Sequence, residues 1–218
     1  MQVFLKKNFY KLSFLPILLS LLFASCIGAS SRIVLNANGS GTVTQEYRIS
    51  LDLEEMGETE ETEDKPPVPM GKEDIERTVE RIEGLHLLSF TSRQDEKDMY
   101  ITAEFAFDSP EALSELMNQD SQQMKVDMQG KKIVLHFSAG EQSENAFMEM
   151  IAEAFFGYDF SFSFTLPDNA KAVWFDENGK NVTQYPGTCT VQDKTVAYSV
   201  SASDLMYLEA ALDLEISW

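Results

Sequence analysis

Residues 42–53 read TVTQEYRISLDL, and this stretch decides the fold because apolar and polar side chains alternate through it. The apolar members share one face: Val43, Tyr47, Ile49, Leu51 and Leu53. The polar members share the other face: Thr44, Glu46, Arg48, Ser50 and Asp52. A period of two over this length predicts a β-strand with one buried face. The apolar stretch at 33–38 and the turn Gly39-Ser40-Gly41 predict its hairpin partner, with residues 27–32 as a short link.

The same one-sided alternation recurs at residues 99–107, 158–165 and 211–218. Shorter strands are expected at 85–92, 124–129, 132–138, 171–175, 188–192 and 194–200. Helical spacing and capping residues predict helices at 73–83, 110–117 and 143–156, and a short helical turn at 203–207. Strand pairs separated by helices, without regular βαβ spacing, predict an α+β fold. We expect a mostly antiparallel sheet built of hairpins, with three to four amphipathic helices packed on it.

The first 26 residues have the order of a secretory signal. Lys6, Lys7 and Lys11 precede an apolar run at 13–23, which is too short to span a bilayer. The ending Leu22-Phe23-Ala24-Ser25-Cys26 resembles a bacterial lipobox, with Phe23 where Leu is usual, as in the relaxed lipobox of spirochaetal lipoproteins. The resemblance implies that residues 1–25 are a signal peptide and that Cys26 carries diacylglycerol and palmitate. The alternative is an ordinary signal peptide with a chance cysteine.

The remaining residues, 26–218, are expected to form a single domain. Its one interruption is the segment at about 54–71, EEMGETEETEDKPPVPMG, which is too acidic and Pro-rich to pack and predicts a disordered loop. Loss of the three leader lysines leaves 14 of the 17 basic residues against all 36 acids, a net charge of −22. Such a surface lacks the basic face that nucleic acids require, so they are excluded as partners.

The sequence lacks the common catalytic motifs. It has no GxSxG, HExxH, CxxC or P-loop pattern, so we expect no enzyme, no metal site and no cofactor. His86 and His136 are expected to be half-buried strand residues, because no metal ligand stands at a suitable spacing beside them. Cys189 is expected to be a small buried hydrophobe, with a reactive thiol as the alternative.

The predicted helix at 143–156, SENAFMEMIAEAFF, is apolar around most of its circumference. A helix that covers only one sheet needs a narrower apolar face. It is therefore either buried on two sides, or it lines a cavity for an apolar ligand or contacts lipid. In the second case the ligand-binding residues are Phe147, Met148, Ile151 and Phe155.

Three segments resemble the LppM-type domain of bacterial lipoproteins: residues 35–41 (LNANGSG), Phe164-Thr165-Leu166-Pro167, and the closing residues 201–218. The resemblance implies an α+β domain near the envelope that binds lipid or glycolipid. We therefore expect a non-enzymatic, membrane-anchored envelope lipoprotein that binds a lipid-like apolar ligand or a membrane surface. The alternative is a protein-interaction or adhesin-like module with a fully packed core. Ile27 after the cysteine, where Asp would retain an enteric lipoprotein at the inner membrane, favours the outer membrane.

Overall fold

The computed structural model describes residues 27–51, 71–118, 123–139 and 157–218. Several predicted features lie outside these ranges. They are the signal peptide, Cys26, nearly all of the acidic loop at 54–71, and the helix at 143–156 with Phe147, Met148, Ile151 and Phe155.

Seven strands form the larger sheet, in the order β10-β11-β7-β1-β2-β4-β3. Their bounds are β1 Ile27–Leu35, β2 Gly41–Ser50, β3 Leu85–Gln94, β4 Asp98–Phe107, β7 Asp159–Thr165, β10 Thr188–Gln192 and β11 Thr195–Ser201. Every pairing in it is antiparallel except that of β1 with β7. The strand β1 begins at Ile27, so the expected link at 27–32 is wrong: these residues already pair with β2.

Five strands form the smaller sheet, in the order β5-β6-β12-β8-β9, with antiparallel pairing throughout. Their bounds are β5 Gln123–Asp127, β6 Lys132–Phe137, β8 Lys171–Asp176, β9 Asn181–Val182 and β12 Leu212–Ser217. Two sheets therefore replace the single sheet expected from the sequence.

The described part of the chain holds three helices: α1 Lys72–Arg81, α2 Pro110–Met117 and α3 Ala202–Met206. Their positions match three of the predicted segments. Ser109 caps α2 by accepting a hydrogen bond from the Ala112 backbone N–H at 3.2 Å. The expected architecture of three to four helices packed on a sheet is nevertheless wrong, because the second sheet packs on much of the apolar face of the first. The fold is α+β but dominated by strands.

The predicted hairpin between β1 and β2 is confirmed. Its turn uses Gly39 at φ 89°, a conformation that glycine adopts without strain. The Asn38 side chain accepts hydrogen bonds from the backbone N–H and the hydroxyl of Ser40. Gly41 is required by space, since a Cβ there would lie 1.9 Å from the Val34 carbonyl oxygen. These residues hold the register in which Ile33 faces Val43.

The main core lies between the two sheets. Ile33, Phe105 and Phe164 of the larger sheet are at most 1% exposed, and Leu214 and Ile216 of the smaller sheet are fully buried. All five belong to one contiguous apolar cluster. The described buried side chains of the two sheets therefore share one core.

Aromatic rings join the two sheets across this core. The Tyr198 ring on β11 lies 5.4 Å from Phe137 and 5.0 Å from Trp174, both in edge-on geometry. The Trp174 ring also stacks on Tyr185 at 4.6 Å. Such pairs add to the stability from burial alone and fix how the sheets face each other.

Candidate functional site

The outer face of the seven-stranded sheet points away from the core and is covered by small hydroxyl side chains. The pairing registers place the following residues on it: Ser30, Thr42, Thr44, Ser50, Ser89, Thr91, Thr102, Ser161, Ser163, Thr165, Thr188, Thr190, Thr195, Ser199 and Ser201. Each alternates with a residue of the inner face. This face therefore presents hydrogen-bonding groups in rows that the sheet holds rigidly.

A groove of about 550 Å³ opens at one end of this sheet, where β1 and β7 begin and β2 ends. Its lining residues are Gly28, Ala29, Ser30, Glu46, Tyr47, Arg48, Arg93, Tyr100, Ile101, Thr102, Gly157, Tyr158, Asp159 and Ser161. The volume lies in the range of small-molecule binding sites. The groove is the candidate functional site.

One wall of the groove is held by Asp98, whose side chain is only 3% exposed. Its Oδ2 accepts hydrogen bonds from Arg48 Nε at 2.9 Å and Nη2 at 2.7 Å. Its Oδ1 accepts one from the Tyr158 hydroxyl at 2.8 Å. Arg48 Nη1 also donates to the Gly157 carbonyl oxygen at 3.1 Å. The network ties β2 and β4 to the segment before β7.

This network also sets the protonation of its members. Burial raises the pKa of Tyr158 to about 12, and the hydrogen bond to Asp98 adds to the rise. The hydrogen bond to Asp98 raises the pKa of Arg48 above its ordinary value. At neutral pH the phenol is therefore a donor, and the guanidinium is charged and already occupied by protein acceptors.

The other wall carries a second arginine with a different role. The Arg93 guanidinium lies over the Tyr100 ring at 3.7 Å, a close cation–π contact. Arg93 is exposed, and among the described residues no carboxylate lies within 4.0 Å of its guanidinium. Arg93 is therefore the cation of the groove that a ligand can engage.

The two histidines do not meet in the structure. His86 Nε2 lies 3.0 Å from Asp108, and His136 Nδ1 lies 2.7 Å from Asp213 on the neighbouring strand. In the described ranges no group of three or more His, Cys, Asp and Glu residues is arranged to hold a metal ion.

Cys189 lies away from the groove, on β10. It packs against the main core, and burial raises the pKa of its thiol. A thiol whose pKa is raised forms less of the reactive thiolate at neutral pH. The interpretation of Cys189 as a small hydrophobe therefore fits its surroundings better than that of a reactive thiol.

The sequence interpretation missed the groove. It placed Arg48 on the polar face of its strand without asking what that face does. It ended the third strand at residue 92, one residue before Arg93. The signal that could have found the site is the excess of Ser and Thr at the outward positions of several strands, combined with an outward Arg and Tyr on adjacent strands.

Comparisons with known proteins leave the family open. No family model matches the chain, and no curated protein matches it. Among solved structures, the NMR structure of the folded domain of LppM from Mycobacterium tuberculosis is similar, with a TM-score of 0.42 and 8% identity, over 89% of this chain and 91% of that chain. Within the part of this chain that the structure describes, no helix is long and apolar enough to cross a membrane. The function is therefore inferred from this chain's own residues.

Proposed function

We propose that this protein is a non-enzymatic binding lipoprotein of the cell envelope, anchored to a membrane through an acylated Cys26. The proposal rests on the residue at which β1 begins. Strand pairing starts at Ile27, and Gly28 lines the groove. Two residues of extended chain reach at most about 7 Å, so a lipid on Cys26 would lie beside the groove.

A binding role, without catalysis, suits the chemistry of the groove. Its lining contains no histidine and no cysteine. Arg48 and Tyr158 are engaged with Asp98, so these groups position the wall of the groove. Arg93 and the hydroxyl groups remain available for contacts with a ligand.

The charge of the groove also fits a position near a membrane. Arg48 is neutralised by its ion pair with Asp98, and Glu46 lies 3.9 Å from Arg32. The two remaining charged residues of the lining, Arg93 and Asp159, are of opposite sign. The processed chain carries a net charge of −22, so a charge-balanced end is repelled less by anionic headgroups than the surface at large. Ile27 after the cysteine favours anchoring in the outer membrane.

The contiguous apolar core shared by the two sheets supports the interaction-module alternative as the second candidate, in which the outer face contacts another envelope protein. The apolar ligand site at Phe147, Met148, Ile151 and Phe155 stays a prediction, because those residues lie outside the described ranges.

The anchor is tested by expressing the full chain with its own leader in bacteria fed radioactive palmitate. We expect label in the wild-type protein and in the control Cys189→Ala, and none in Cys26→Ala, which is unprocessed or soluble. Label that persists in Cys26→Ala, or is missing from the wild type, would contradict the lipoprotein assignment.

A further inference from the structure

We propose that the groove binds a neutral saccharide. The proposal rests on the proposed function, in which the groove is the ligand site, and names the class of ligand. It follows from the charge balance, the Arg93 guanidinium held on the Tyr100 ring, and the mixed donors and acceptors that line one cavity.

The charge balance excludes a strongly anionic ligand. Arg48 is already neutralised by its ion pair with Asp98, and Glu46 lies 3.9 Å from Arg32. The two remaining charged residues of the lining, Arg93 and Asp159, are of opposite sign. A phosphate or carboxylate ligand needs an excess of donors and positive charge. The groove has neither, and the net charge of the whole chain repels anions.

The lining equally excludes an apolar ligand. Ser30, Thr102 and Ser161 place hydroxyl groups in the groove, between the two acids and the exposed Arg93. Burying these groups under a hydrocarbon without replacing their hydrogen bonds to water is unfavourable.

A saccharide can form hydrogen bonds with both the donors and the acceptors of the groove. Each sugar hydroxyl donates one hydrogen bond and accepts others, so it needs acceptors such as Glu46 and Asp159 and donors such as Arg93. Hydroxyl side chains serve in either role. A neutral, polyhydroxylated ligand is the class for which a charge-balanced mixture of carboxylates, guanidinium and hydroxyl groups is complementary.

The stacked pair of Arg93 and Tyr100 places a donor of fixed orientation in the groove. With the guanidinium 3.7 Å from the ring centre, Arg93 covers this face of the Tyr100 ring, and the ring holds the guanidinium in place. The N–H groups of a guanidinium held in this way can donate to sugar hydroxyls. A volume of about 550 Å³ accommodates a short stretch of glycan.

The test uses the full processed chain in a phosphocholine detergent, which has no sugar headgroup. Nitrogen-15 labelling of arginine gives one side-chain NMR signal for each of the five arginines, and the Arg93 signal is identified by its loss in Arg93→Ala. The probes are the neutral hexasaccharides of glucose in α and β linkage, of mannose and of N-acetylglucosamine, each at millimolar concentration. A further sample contains digalactosyl diacylglycerol in the micelles, and another contains inorganic phosphate.

A saturable shift of the Arg93 signal with any soluble hexasaccharide supports the proposal and assigns a polysaccharide ligand. A shift only with the galactolipid supports it and assigns a glycolipid headgroup. A shift with phosphate alone, or with no probe, overturns it. The palmitate experiment tests the acylation of Cys26 separately. A negative result for saccharide binding can therefore be distinguished from a negative result for the lipid anchor.

Variants then test whether the ligand binds in the groove. Their affinity is measured by calorimetry with the hexasaccharide or galactolipid that gave the shift. We expect Arg93→Ala and Tyr100→Ala each to weaken affinity about tenfold, while Tyr100→Phe, which keeps the ring, stays within about twofold. Arg81→Ala, an exposed arginine on α1, is the matched control and is expected to bind normally. Because Arg93 is exposed, its removal leaves the fold intact even if Tyr100→Ala unfolds. Unchanged affinity in Arg93→Ala contradicts the proposed site.

Discussion

The two faces of the seven-stranded sheet are built by alternate residues of the same strands, yet they differ in almost every physical respect. On β7, Phe164 is 1% exposed and packs into the core, while its neighbour Ser163 is half-buried on the outer face. On β1, Ile33 is fully buried and its neighbour Arg32 is exposed. The inner face is buried away from water, whereas most of the outer face is accessible to it.

The difference separates stability from recognition within one strand. Burial of apolar area stabilises the fold, so the inner residues carry most of the free energy of unfolding. Apart from the buried network around Asp98, the outer residues contribute little to it and are free to serve binding. Substitutions at two neighbouring positions of one strand should therefore have very different effects on the free energy of unfolding.

The largest effect is expected for Phe164→Ala. Removing a fully buried ring leaves a cavity in a core that cannot collapse onto it, so the free energy of unfolding should fall by about 3–5 kcal/mol. Ser163→Ala, one residue away, should change it by no more than about 0.5 kcal/mol. Urea denaturation followed by circular dichroism measures both. Equal losses in the two variants would show that the outer face is also part of a core.

A smaller effect is expected at the wall of the groove, where the two partners of one ion pair should differ. Arg48→Ala leaves the carboxylate of Asp98, 3% exposed, without its charged partner and should cost about 3 kcal/mol. Asp98→Ala leaves Arg48, whose side chain is 43% exposed and can turn to water, and should cost about 2 kcal/mol.

Asp159→Ala is the control for this pair, since that acid is exposed at the same groove, and should be nearly neutral. The same denaturation measurement compares all three variants. A larger loss for Asp98→Ala than for Arg48→Ala would contradict the burial argument.

The smallest effect is the contribution of Tyr158, at the outer face, to the pH dependence of stability. Burial raises the pKa of Tyr158 to about 12, above the value of about 10 in an unfolded chain. The folded state therefore holds this proton more tightly, and the resulting stabilisation is complete below about pH 10 and is lost as the pH rises towards 12. Tyr158→Phe should lose less stability over that interval than the wild type. Thermal unfolding at several pH values tests it, and parallel losses in both proteins would place the titrating group elsewhere.

Most elements of the fold could be predicted from the sequence because they depend on local patterns. Alternation of apolar residues located β2, β4, β7 and β12, and the Ser109-Pro110 pair located the start of α2. The second sheet could not be predicted, since nothing local distinguishes a strand covered by a helix from one covered by another sheet. The groove was missed for a related reason: Arg48 and Asp98 are 50 residues apart in sequence and meet only because β2 pairs with β4.

The sequence by itself determined which side of each strand is apolar, because a period of two assigns side chains to faces before any partner is known. It also supplied the polar complement, the Ser, Thr, Arg and Tyr residues of the outer face. Only the tertiary structure decided which strands lie side by side, and with that which polar side chains share a cavity. Strand order depends on contacts between distant segments, and those contacts bring Arg93 and Tyr100 together with Gly28 and Tyr158 at the end of the sheet where β1 begins.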